Sequence, residues 1–176
     1  MNDTALVIYS RTGTTRLVAR LLSDRLDCPI FEITDQVSRA GVMGDLRCVL
    51  DNVFRRDVAY CYTGPALDDY RKLVVMAPVW VGHLAAPMRC FLREHRHYGQ
   101  KLAGIAVMAS SGGFRAAEEI ATIMGCTPSP VLVLSQRDIV SGNAQADLDG
   151  FAAALEQAPT VSTTSPRPAW LSPNEA

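Results

Sequence analysis

Three short stretches carry the residues whose types and spacing could do chemistry, and each follows an apolar run. Ser10-Arg11-Thr12-Gly13-Thr14-Thr15 sets four hydroxyls around one glycine, directly after Ala5–Tyr9 and directly before an amphipathic segment. Hydroxyls beside the free N–H groups of a helix start suit a terminal phosphate monoester, with its three acceptor oxygens and a charge that the helix dipole stabilises by about 0.3–1 kcal/mol. The stretch has neither the Gly-Lys pair of a nucleoside triphosphate loop nor the glycine spacing of a dinucleotide fingerprint. A Ser/Thr turn that only caps the helix is the plain alternative, although one cap needs one hydroxyl rather than four. Pro78-Val79-Trp80-Val81-Gly82-His83 offers an indole for stacking and a glycine peptide open to conformations closed to other residues. A rim tryptophan and an ordinary turn glycine would look the same. In Ser110-Ser111-Gly112-Gly113 the paired glycines would let backbone N–H groups approach a ligand with no Cβ in the way, or would simply make a left-handed turn.

The elements that must position these stretches alternate. Leu6–Tyr9, Lys72–Ala77, Gly104–Ala109 and Val131–Leu134 are uniformly apolar, as suits parallel strands covered on both faces. Cys28–Ile33 reads as a further short strand, with Pro29 at its start or at a sheet edge. Between and after them, helical spacing marks Leu17 to Leu22, Leu46 to Phe54, a helix with Pro87 in its first turn that ends near Gly99, Ala116 to Met124 ahead of Gly125, and Leu148 to Leu155. Five strand–helix alternations predict an α/β fold, a three-layer α/β/α doubly wound five-stranded parallel sheet with right-handed crossovers. Ligands of such sheets lie beyond the carboxyl ends of the strands, where all three stretches fall. Residues 1–158 form one expected domain. Residues 159–176 turn to Pro, Ser and Thr and read as an extended tail, with Trp170 as its one large anchor.

At 176 residues and 48% hydrophobic content the chain can bury a core without staples. A net charge of -1 and a pI near 6.3 give no field that would draw it to nucleic acid or a membrane surface. The five cysteines stand singly, without zinc or dithiol spacing, and read as buried free thiols. His83, His95 and His97 show no ligand pattern, so no metal is expected. Arg89, Arg93 and Arg96 recur on one helical face that reads as solvated, or as a docking patch for an acidic partner. Arg11 reads either as a phosphate contact or as a solvated loop residue. With no leader pattern and no run of membrane-spanning length, a cytoplasmic protein is expected.

The run Ser10-x-Thr12-Gly13-x-Thr15 resembles the phosphate loop of the flavodoxin family, and the other two stretches support the likeness across roughly residues 4–157. The resemblance implies a strand order of 2-1-3-4-5 and FMN as the cofactor. It implies that Ser10, Arg11, Thr12, Gly13, Thr14 and Thr15 hold the phosphate. Pro78, Val79, Trp80, Val81, Gly82 and His83 would form the second flavin loop, with the indole beside the isoalloxazine and the glycine peptide near its N5. Ser110, Ser111, Gly112 and Gly113 would reach the pyrimidine edge. No catalytic side chain is implied, because the flavin carries the electrons. The expected function is flavin-based electron transfer to a redox partner protein. The alternative is an NAD(P)H-dependent reductase of quinones or similar small acceptors, and a flavin-free interaction module on the same scaffold is a third reading. Carrier flavodoxins are usually strongly acidic, and this chain departs from them in being nearly neutral.

Overall fold

The computed structural model describes residues 3–36 and 41–157, so the expected tail at 159–176, including Trp170, lies outside the described residues. The elements in chain order are β1 (Thr4–Tyr9), α1 (Thr14–Leu26), β2 (Ile30–Asp35), α2 (Gly41–Val53), β3 (Tyr60–Cys61), a 3-10 turn (Leu67–Asp69), β4 (Lys72–Trp80), β5 (His83–Leu84), α3 (Ala86–Glu94), β6 (Lys101–Met108), α4 (Gly113–Met124), β7 (Val131–Ser135), α5 (Gln136–Val140) and α6 (Gln145–Gln157). Five parallel strands lie in the order β2-β1-β4-β6-β7, the expected 2-1-3-4-5 arrangement. Two-residue antiparallel strands add to it: β3 on the outer edge of β2, and β5 on the end of β4. The chain leaves β1 in one direction for β2 and returns on the other side for β4, so the switch point falls between β1 and β4.

Alternation along the strands builds the three layers. From β1 and β4, Ala5, Val7, Tyr9, Leu73, Val75 and Ala77 pack with Phe91 of α3 and Ile120 of α4. Leu6, Ile8, Val74 and Met76 point the other way, onto Val18 and Leu22 of α1 and Leu148 and Phe151 of α6. Because both faces are covered, these strands are apolar at every position after their first residues, Thr4 and Lys72.

Register locates the opening at the top of the sheet. The β1–β4 ladder ends at Ile8↔Met76, whereas β4 stays paired with β6 as far as Pro78↔Val107. β4 then continues through Trp80 and turns back at once into β5, with Trp80 opposite His83. The loop expected at Pro78–His83 is therefore mostly strand: Pro78 and Val79 are buried in β4, and only Val81 and Gly82 form the turn. Both turn residues have positive φ, 52° and 74°. Two-residue hairpins favour this conformation because its twist matches the strands, but a β-branched residue seldom adopts it.

Two expectations about helices are corrected. Of the stripe Leu46, Val49, Leu50, Val53 and Phe54, expected to face the core, Leu50 is half-buried and the other four are 42–63% exposed. α2 instead buries the face carrying Cys48, Asp51 and Asn52, and presents it to β4 and α3. Arg89, expected on a solvated face, is fully buried in a helix whose residues 86–92 are all buried. Its Nη2 donates to the carbonyls of Asp51 (3.2 Å), in the last turn of α2, and Arg56 (3.4 Å), just beyond it, and its Nη1 to Leu84 O (3.4 Å). A cation there meets the negative dipole end of a helix, while burial lowers its pKa. Arg93 pairs with Asp57 and Arg96 lies exposed beyond the end of α3, so the three arginines do not form one solvated face.

The thiols are less uniform than expected. Cys28, Cys48 and Cys90 are buried, Cys126 is half-buried and Cys61 is exposed. Burial, with Asp27 adding, pushes the Cys28 thiol up to about 11. A colorimetric thiol titration of the native protein should show one fast-reacting thiol, Cys61, with Cys28, Cys48 and Cys90 reacting only after unfolding. For the hairpin, Val81→Asn creates the preferred Asn-Gly turn and should raise stability by about 1 kcal/mol in urea denaturation, since the left-handed region costs a β-branched residue roughly that much.

Candidate functional site

The first and third candidate stretches follow β1 and β6, and the second spans the end of β4 and its hairpin turn; the three strands are neighbours in the sheet, so the stretches lie side by side at one edge. The first is the start of a helix capped in an unusual way. Gly13, with φ 93°, occupies the N-cap of α1 and offers no side chain to the first-turn N–H groups. Leu17 N–H bonds back to Gly13 O (2.9 Å), and Arg16 N–H is met from outside the helix by Ser10 Oγ (3.2 Å). The N–H groups of Thr14 and Thr15 precede the first intrahelical bond and have no acceptor within the helix. The Thr12 and Thr14 hydroxyls lie 3.5 Å apart beside them. Thr12 is exposed, Thr14 and Arg11 are half-buried, and Thr15 is buried. Arg16 is committed elsewhere: its guanidinium forms a two-pronged pair with Glu32 of β2 (2.8 and 2.5 Å), which raises its pKa.

The second stretch places Trp80 half-exposed over the end of β1. Its ring meets Tyr9 edge-on at 5.5 Å between centroids and an interplanar angle of 82°. Tyr9 in turn donates its hydroxyl to Asp35 Oδ2 at the end of β2 (2.8 Å). The ends of β2, β1 and β4 are thus linked by one chain of side chains, Asp35–Tyr9–Trp80, just where the β1–β4 ladder has stopped.

The third stretch touches the second, backbone on backbone. A Cβ added at Gly112 would lie 2.4 Å from Gly82 Cα and 2.9 Å from Gly82 O. Any other residue at position 112 would drive the two turns apart. At Gly113 the missing side chain makes room for Val133 of β7, which a Cβ would meet at 2.1 Å. The space these glycines leave open is filled by protein on that side, and Ser110 and Ser111 are exposed.

Behind the hairpin lies a polar layer that sequence reasoning did not find. Asn52 of α2, fully buried, donates through Nδ2 to Trp80 O (2.9 Å) and Leu84 O (3.4 Å). Glu119 of α4, nearly buried, accepts from Leu84 N–H (2.8 Å) and Arg55 (2.9 Å), and meets His83 Nδ1 at 2.9 Å. No motif marks Asn52 or Glu119 in the sequence, where they read as ordinary polar positions on amphipathic helices. His83 was grouped with the candidate loop, and the structure turns its ring to this carboxylate. Among the described residues there is no cluster of His, Cys, Asp or Glu able to hold a metal ion, and no helix long and apolar enough to cross a membrane.

No protein-family model matches the sequence, and no curated protein is similar enough in sequence to match. Solved structures are similar in fold. A flavoprotein in complex with FMN from Lactobacillus acidophilus NCFM superimposes with a TM-score of 0.64 at 15% identity, over 81% of this chain and 98% of that one. A candidate flavoprotein from Bacteroides uniformis ATCC 8492 gives 0.68 at 19% identity, over 81% and 97%. The FMN-bound flavodoxin of Fusobacterium nucleatum gives 0.55 at 11%, over 89% and 98%. At these identities the shared property is the arrangement of the chain, and together with the strand order it gives this protein a flavodoxin-like fold.

Proposed function

We propose that the chain binds FMN at the edge formed by the ends of β1, β4 and β6 and works as an electron-transfer flavoprotein. The observation that carries this reading is the start of α1. A left-handed glycine holds the cap position without a capping side chain, and the Thr12 and Thr14 hydroxyls converge beside first-turn N–H groups that the helix cannot satisfy. Such a cradle of neutral donors fits a phosphate monoester. Arg16 is spent on Glu32, so hydroxyls, N–H groups and the helix dipole do most of the neutralising. The same edge carries a half-exposed indole and a turn of exposed backbone, which fit a planar ring system with polar edges. The FMN found in the Lactobacillus and Fusobacterium structures supports this choice of ligand.

In this reading Ser10 through Thr15 hold the phosphate, with Ser10 Oγ also fixing the first turn of α1. Trp80 and the Val81–Gly82 backbone border the flavin ring, and Ser110 to Gly113 close the far edge. When bound, FMN supplies reversible one- and two-electron chemistry, and the chain's part is to bind it, orient it and limit water around it. The electron-transfer reading names a redox partner protein. The chain's near-neutral charge, which provides no strongly acidic docking field, favours as a second reading an NAD(P)H-dependent reductase of small acceptors.

The purified protein should be yellow, or become so with added FMN, and acid should release FMN from it. A protein that stays colourless and does not quench FMN fluorescence would refute the reading. Thr12→Ala combined with Thr14→Ala should weaken FMN binding by about 2 kcal/mol, at roughly 1 kcal/mol per lost hydrogen bond, in a fluorescence titration. Rapid anaerobic bleaching of the flavin band by NADPH alone would select the reductase. Bleaching only with an added partner reductase would select the carrier.

A further inference from the structure

The turn at Val81–Gly82 is held from three elements at once. On one side Asn52 Nδ2 grips Trp80 O and Leu84 O, the backbone carbonyls on either side of the turn. On the other, Glu119 takes Leu84 N–H with Oε2 and meets the His83 ring with Oε1, which Arg55 also reaches. From the front, Gly112 lies so close to Gly82 that a single Cβ would collide with it. The two residues left between these anchors are both left-handed, one of them a valine. Two buried polar atoms nearby, Asn52 Oδ1 and Arg89 Nε, have no hydrogen-bond partner. Strained backbone and unmet polar atoms persist only where the surroundings over-determine a conformation.

From this convergence we infer that Asn52 and Glu119 are positioning residues for the flavin site: they lock the turn after β4 in one conformation, so that its backbone presents a fixed edge to the ring. This rests on the FMN reading, since it assigns a purpose to the wall of that same site. Neither residue is placed to touch the ligand. Their effect passes through Trp80, His83 and Leu84, and it preorganises the site before FMN arrives. Arg55 and His83 share the Glu119 carboxylate, which ties the end of α2 to the same lock.

The full-length protein can be followed by two independent measurements. Amide hydrogen exchange of the FMN-free protein reports the lock itself. FMN affinity and midpoint potential report its consequence. Glu119→Ala should speed exchange at Leu84 at least tenfold while leaving β1 and β7 unchanged, raise the FMN dissociation constant about tenfold and move the potential. Glu119→Gln, which can still accept from Leu84 N–H, should recover most of that loss. Should Glu119→Ala not fold, Asn52→Ser removes the grip on Trp80 O and is expected to act in the same direction. Wild-type affinity and potential in these variants, or unaltered exchange at Leu84, would overturn this inference alone. Failure of the wild-type protein to bind FMN would overturn the proposed function as well, and the wild-type titration identifies that case.

Discussion

A carboxylate withdrawn from water has to be met by donors, and meeting Glu119 organises much of this molecule. Its partners come from the chain after α2 and from β5, so its desolvation is compensated only when α2, the β4–β5 hairpin and α4 are all in place. Asn52 and Arg89 extend the same logic. One joins α2 to the hairpin through backbone carbonyls, and the other closes the end of α2 from within α3. Apolar packing fixes the sheet and its two covered faces, while this polar layer fixes how the elements around one strand end face each other. Packing alone tolerates small shifts between helices, whereas hydrogen bonds at about 2.9 Å do not.

How far the sequence reveals the fold depends on how local the cause is. The parallel sheet could be read directly, because strands buried on both faces must be apolar at every position, as Ala5–Tyr9 is. The helix stop at Gly125 and the start at Pro87 follow from single-residue stereochemistry, and both are found. α2 could not be oriented in this way. Its apolar stripe through Leu46, Val49 and Val53 implied an inward face, but the helix buries Cys48, Asp51 and Asn52 because Arg89 and the carbonyls of Trp80 and Leu84 lie on that side. A periodicity argument sees hydrophobicity and is blind to partners that arrive from distant positions. Arg89 was misplaced for the same reason.

Legibility of the candidate site divides along similar lines. The hydroxyl-rich start of α1 is a contiguous stretch, and the structure keeps it together around the Gly13 cap. The glycines of the third stretch were visible as glycines, but the backbone contact that requires Gly112 to be one depends on Gly82, thirty residues away in sequence and adjacent only in the fold. Pro78 falls in the expected second flavin loop, and proline is scarce in central strands. It stands inside β4 because pairing of that strand with β1 has already ended.

That last detail bears on where the molecule can hold anything at all. Up to Ile8↔Met76 the strands β1 and β4 are laced together. Beyond it β4 pairs with β6 as far as Pro78↔Val107 and with β5 of its own hairpin, and Pro78 has no N–H to offer either neighbour. The sheet therefore behaves like a seam that stops a few stitches short of its hem. The prolyl ring cannot supply a donor there, so β1 could not be laced to β4 through the N–H of residue 78 even if it ran further.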